Sequence, residues 1–138
     1  MKVLGLDLGE KTLGVAVSDA LKMIAMPKET FHFKTAHYKH AHEYVLECVK
    51  KENISTIVLG LPKNMDNSEG PRAQITRKFK AKLEEETNVR IILWDERLTT
   101  KAADRVLIEG GVRRENRKKH VDSVAATLIL QNYLDAQL

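Results

Sequence analysis

The sequence predicts an α/β domain built around one sheet, and three observations predict it. Short runs rich in branched apolar residues, Val3 to Leu8, Ser55 to Leu61 and Val89 to Trp94, have the length and composition of buried strands. Longer stretches between and after them place apolar residues at helical spacing. The 138 residues suffice for one compact domain, residues 1–138, and are too few for two lobes.

The elements follow in order. After Val3 to Leu8 the chain turns at Gly9, with Glu10 and Lys11 at the tip, and returns through Thr12 to Val17 as a second strand. About Lys28 to Phe33, Thr30 and His32 alternate with Phe31 and Phe33, the pattern of an edge strand. Tyr38, Ala41, Val45, Cys48 and Val49 then predict an amphipathic helix over His37 to Lys51. Pro62 to Pro71 reads as a loop, and Pro71 suits the first turn of a helix running to about Thr87. That helix turns Ile75, Phe79 and Leu83 inward, with Arg72, Arg77, Lys78, Lys80 and Lys82 assigned to its other faces. Thr99 caps a further helix, Thr100 to Glu109, which Gly110 and Gly111 end. The last helix, His120 to Leu134, is apolar on nearly every side through VDSVAATLIL and packs deep against the sheet.

Composition narrows the function classes. Apolar residues at 43% and charged residues at 30% are ordinary for a globular protein, and no run is long enough to span a bilayer. Met1-Lys2-Val3 leads into a strand rather than a signal peptide, so a cytoplasmic location is expected. Cys48, the only cysteine, excludes an intrachain disulfide and reads as a buried thiol. His37, His40 and His42 lack a further ligand to complete a zinc set and are assigned to a solvated helix face. The net charge of +4 is concentrated in Arg113 to His120, where five Lys or Arg stand against one Glu. Such a block is either a solvated loop or a grip on phosphate.

Three acids stand apart. Asp7 interrupts a buried strand, where an unpaired carboxylate costs several kcal/mol and requires a partner or a metal. Gly5 and Gly14 flank it and remove side chains that would block a backbone or a ligand. Asp95-Glu96-Arg97 marks the end of another buried strand, and Asp122 falls in the first turn of the expected last helix. Each has a local account: backbone amides at the turn for Asp7, and for Asp122 a helix macrodipole contributing about 0.3–1 kcal/mol. Together, at boundaries of three elements distant in sequence, they are better explained by one shared site.

The segments LGLDLGEKTLGVAVSD at 4–19, GLPKNMDNSEGPRA at 60–73, DERLTT at 95–100 and RKKHVDSVAATLILQNYL at 117–134 occur in that order. On these motifs, along essentially the whole chain, the sequence resembles the YqgF (RuvX) family of RNase H-like nucleases, related to the RuvC Holliday junction resolvases. The resemblance implies an RNase H-like, RuvC-like α/β fold with a mixed five-stranded sheet of order 3-2-1-4-5 and flanking helices. The last helix would lie across the first and fourth strands, bringing Asp7, Glu96 and Asp122 to one end of the sheet. Glu96 rather than Asp95 is chosen by the DER motif, since strand alternation turns only one of them toward that point. Three carboxylates suit Mg²⁺ or Mn²⁺ rather than zinc. Two such ions about 4 Å apart can polarise a phosphodiester and activate water, and their charge offsets the burial of the acids.

Candidates for holding nucleic acid are Lys11, Asn64, Arg97, Arg113, Arg114, Arg117, Lys118 and Lys119. RuvC-type resolvases carry a further acid one helical turn before the last, where this chain has Lys119. The seven Phe, Trp and Tyr also give little equipment for stacking on opened bases. The resemblance therefore implies maturation of the 5′ end of structured pre-16S rRNA in ribosome biogenesis. Its competitors are Holliday junction resolution in DNA repair and a non-cleaving RNA-binding factor in transcription or assembly. A phosphotransferase of the actin and sugar-kinase type, suggested by DLGEKTLG, is opposed by the chain length. RNA against DNA, exonuclease against endonuclease, and monomer against weak dimer have no signature in the sequence.

Overall fold

Along Lys2–Leu8 the residues Leu4, Leu6 and Leu8 alternate with Val3, Gly5 and Asp7, and this period of two decides what each side of the sheet carries. The computed structural model describes residues 1–95 and 114–137, with side chains throughout except at 114–123. Its elements are β1 (Lys2–Leu8), β2 (Thr12–Ser18), β3 (Ala25–His32), α1 (Tyr38–Lys51), β4 (Ile54–Leu61), α2 (Pro71–Glu86), β5 (Arg90–Asp95) and α3 (Arg114–Ala136). The sheet order is β3-β2-β1-β4-β5, as the resemblance implies. β2 runs antiparallel to both β1 and β3, while β1, β4 and β5 are parallel.

One side of the sheet presents Leu4, Leu6, Leu8, Leu13, Val15, Ile57 and Leu59 to Ala41, Val45 and Cys48 of α1 and to Phe79 and Leu83 of α2. The other side presents Val3, Ala16 and Val58 to Ala126, Ile129, Leu130, Tyr133 and Leu134 of α3. Here Gly5 is obligatory: a Cβ on it would lie 2.7 Å from Leu130 Cβ and 3.0 Å from the Ala126 carbonyl. Removing that one carbon lets α3 sit directly on β1.

Three expectations require correction. The edge strand begins at Ala25 rather than Lys28, and it contains Pro27. Proline is tolerated on an edge, and the β2–β3 register shifts between Val15 and Ala16, opposite it. The last helix begins at Arg114 rather than His120, so the expected basic loop is helical from Arg114 onward. Its residues include several good helix formers and neither Gly nor Pro. His42 is not solvated: it is 8% exposed, edge-on to Phe79 at 6.2 Å, with Nδ1 3.9 Å from Glu86. The apolar body of an imidazole suits the seam where α2 packs on α1. The expected helix Thr100–Glu109, with its Thr99 cap and glycine stop, lies outside the described residues. No described helix is long and apolar enough to cross a membrane.

Candidate active site

Asp7 is the penultimate residue of β1 and, by alternation with Val3 and Gly5, faces the α3 side. Across the antiparallel ladder it pairs with Gly14 of β2. On the parallel side Leu6 pairs with Leu59, so the next residue along β4 is Gly60. The half-buried carboxylate therefore stands on a strand flanked by two positions without side chains. Gly14 and Gly60, both buried, set no side chain beside it, and a carboxylate is a hard oxygen donor of the kind Mg²⁺ takes.

The turn after Asp7 is held at successive backbone groups. Gly9 N donates to the Thr12 carbonyl at 2.7 Å, Ala36 N to that of Glu10 at 3.0 Å, and Phe33 N to that of Lys11 at 2.9 Å. Arg72, half-buried in the first turn of α2, donates from Nη2 to the Leu8 carbonyl at 3.0 Å and from Nη1 to the Tyr38 hydroxyl at 3.1 Å. Sequence spacing had placed this arginine on an outer helix face; only the fold shows that it reaches β1. Lys11 is exposed at the tip of the turn. Asp19, at the other end of the hairpin, makes a contrast. Its carboxylate accepts from the Met23 and Ile24 amides at 2.8 and 3.0 Å, and these bonds hold its pKa below the usual carboxylate range. That acid serves a turn.

The course of α3 relates Asp122 to Asp7. Helix residues 126 and 130 meet β1 at Gly5, and Gln131 reaches the Ala25 amide and the Met23 carbonyl. Ala25 pairs with Ser18, whose hydroxyl accepts from Val3 N, so this is the end of the sheet opposite Asp7. The earlier turns of α3 consequently lead toward the Asp7 end. Asp122 precedes Ala126 by four residues, a rise of about 6 Å, and Asp7 follows Gly5 by two, about 6.6 Å. Because α3 starts at Arg114, Asp122 is not in its first turn, and the macrodipole account of this acid is withdrawn.

At the end of β5, Ile91 and Leu93 pack on the α1/α2 side while Ile92 and Trp94 pack on the α3 side. Asp95 continues the alternation and falls on the face opposite Asp7. Glu96, Arg97 and Arg113 lie outside the described residues. Arg114, Arg117, Lys118 and Lys119 occupy the first turns of α3. Asn64 sits in the exposed 62–70 loop, where its amide donates to Ser68 Oγ at 3.0 Å and its N–H to the Ser68 carbonyl at 2.9 Å. Among the described residues no three His, Cys, Asp or Glu are grouped to hold a metal.

This architecture defines the class first: an RNase H-like α/β fold of the resolvase type. The fowlpox virus resolvase in complex with Holliday junction DNA matches with a TM-score of 0.62 at 15% identity, covering 100% of this chain and 99% of that one. Thermus thermophilus RuvC with a Holliday junction substrate matches with a TM-score of 0.60 at 18% identity, covering 99% and 95%. Residues 1–136 match the family described as "RuvX: Holliday junction resolvase". A protein of Halalkalibacterium halodurans named "Putative pre-16S rRNA nuclease" is 47% identical over 99% of this chain and 98% of its own. One of the same name from Agathobacter rectalis is 48% identical over 98% and 95%. The chain belongs to the RuvX family. It is accordingly a hydrolytic nuclease with nucleic acid as its partner, and nucleases of this fold depend in general on divalent metal.

Proposed function

We propose that residues 1–138 act as one cytoplasmic nuclease domain that matures the 5′ end of pre-16S rRNA, with Asp7, Glu96 and Asp122 as its catalytic and metal-holding carboxylates. The observation that carries this reading is Asp7 itself: a half-buried acid at a strand end, with Gly14 paired to it and Gly60 next along the other neighbouring strand. The names of the relatives favour pre-rRNA over a DNA junction. Lys119, standing where the resolvases have an acid, points the same way.

The three carboxylates supply hard oxygen donors for Mg²⁺ or Mn²⁺, two ions in all. Bound there, the ions supply polarisation of the phosphodiester and an activated water. The chain's own part is positional. Gly14 and Gly60 place no side chain beside Asp7, and hydrogen bonds from Gly9 N and Arg72 brace the 8–12 turn that follows it. Lys11, Asn64, Arg97, Arg113, Arg114, Arg117, Lys118 and Lys119 bind the substrate backbone, so affinity falls as salt rises.

The test is cleavage of a precursor 16S 5′ segment and of a four-way DNA junction, each with Mg²⁺ and with EDTA. Mg²⁺-dependent cutting of the RNA alone is expected. Cutting of the junction alone would replace the reading with resolution of branched DNA. Binding of RNA without cutting of either substrate would make the protein an assembly factor.

A further inference from the structure

We propose that Arg72 is a positioning residue for Asp7, acting through the backbone of β1; this rests on the reading of Asp7 as a catalytic acid. The β1–β4 pairing runs through Leu6 and Leu59, so at the end of β1 that carries Asp7 and Leu8 the ladder continues on the β2 side, to Gly14 and Leu13, and stops on the β4 side. At that end a single guanidinium joins three elements. Nη2 holds the Leu8 carbonyl at 3.0 Å, and Nη1 holds the hydroxyl of Tyr38, the first residue of α1, at 3.1 Å. Arg72 itself lies one residue into α2, after Pro71.

The brace continues beyond the arginine. The Tyr38 ring packs edge-on against Phe33 at 5.8 Å, and Phe33 N donates to the Lys11 carbonyl at 2.9 Å. Arg72 thus sits at one end of a connected set that returns to the far side of the same turn. A planar fork with fixed donor directions suits two acceptors on different elements; a lysine ammonium on a flexible stem is less pre-organised for the pair. Its geometry separates it from a phosphate ligand: it is half-buried with both terminal nitrogens engaged, whereas Arg77, five residues on, is exposed and paired with Glu69 at 2.7 Å. Removing Arg72 lets the Asp7–Gly9 backbone relax, and displacement of a reacting group by about 1 Å can cost on the order of 100-fold in rate.

The experiment compares Arg72→Ala, Arg72→Lys, Tyr38→Phe, Arg77→Ala and Asp7→Asn in the full chain, by steady-state cleavage of the precursor 16S segment and by amide exchange. Expected for Arg72→Ala is a fall in kcat of about 10- to 100-fold with KM little changed, and faster exchange at Gly9, Phe33 and Ala36. Arg72→Lys falls between it and wild type, and Tyr38→Phe, which keeps the ring and removes one acceptor, shows the same pattern more weakly. Should Arg72→Ala not fold, those two variants decide the matter. Arg77→Ala, which removes the same charge from the same helix, behaves as wild type. Unchanged kcat in Arg72→Ala while Asp7→Asn is inactive would overturn the positioning role alone. So would a rise in KM shared with Arg77→Ala, which would make Arg72 a substrate contact. Full activity of Asp7→Asn would overturn the catalytic reading and this inference with it.

Discussion

The two sides of the sheet are built to different rules. Toward α1 and α2, β1, β2 and β4 carry Leu4, Leu6, Leu8, Leu13, Val15, Ile57 and Leu59, large side chains that fill the space against two helices. Toward α3 the same strands carry Val3, Ala16 and Val58 together with Gly5, Asp7, Gly14 and Gly60, fewer and smaller side chains. The first side gains stability from apolar burial, roughly 25 cal/mol per Å². The second draws its apolar burial mainly from α3, which rests on the β1 backbone at Gly5, and leaves a carboxylate on the strand at Asp7. The proposed catalytic acid Asp7 lies on the thinner side.

Breaking the thick side should cost stability and spare chemistry. Leu6→Ala removes a fully buried side chain and is expected to lower unfolding free energy by about 2–5 kcal/mol in a denaturant titration. Cleavage per folded molecule, measured below the transition, should stay close to wild type. Breaking the thin side should do the reverse. Gly5→Ala drives a methyl into Leu130 and the Ala126 carbonyl, costing about 1–3 kcal/mol, and the shift of α3 off β1 should depress cleavage out of proportion to that loss.

A third variant tests a contact that belongs to neither side. Glu52, the C-cap of α1, ties to Lys28 of β3 at 3.0 Å and to Lys2 of β1 at 3.5 Å. The Lys28 hydrogen bond, and the charge of both lysines, hold the Glu52 carboxyl below its usual range. A depressed carboxylate pKa contributes stability above the unfolded value and loses it as pH falls through the folded one. Glu52→Gln should therefore cost up to about 1 kcal/mol at neutral pH, and the difference from wild type should vanish in acid, with cleavage unaffected.

The thick side was legible in the sequence because its signal is periodic: Leu4, Leu6 and Leu8, or Ala41, Val45 and Cys48, announce strand and helix by spacing alone. Asp7 was legible as an exception to that period. The strand order came from the family motifs, since pairing partners leave no periodic trace. His42 was misplaced because a polar letter stands for a ring that packs well on Phe79. Pro27 concealed the start of β3, whose edge position makes proline harmless. Arg72 was illegible because its acceptors, Leu8 and Tyr38, are 64 and 34 residues away in the chain. Glu96 is preferred to Asp95 on the DER motif alone, because spacing does not reveal the β5 register, which puts Asp95 on the face opposite Asp7.

The role of Asp7 is tested most directly by measuring cleavage and unfolding together in Asp7→Asn. The substitution keeps the side chain's size while removing its charge. Mg²⁺-dependent cleavage should fall to background while the unfolding free energy changes by less than about 1 kcal/mol, as for an acid retained for chemistry rather than for the fold. Retained cleavage with a marked loss of stability would contradict it and make Asp7 a structural carboxylate like Asp19.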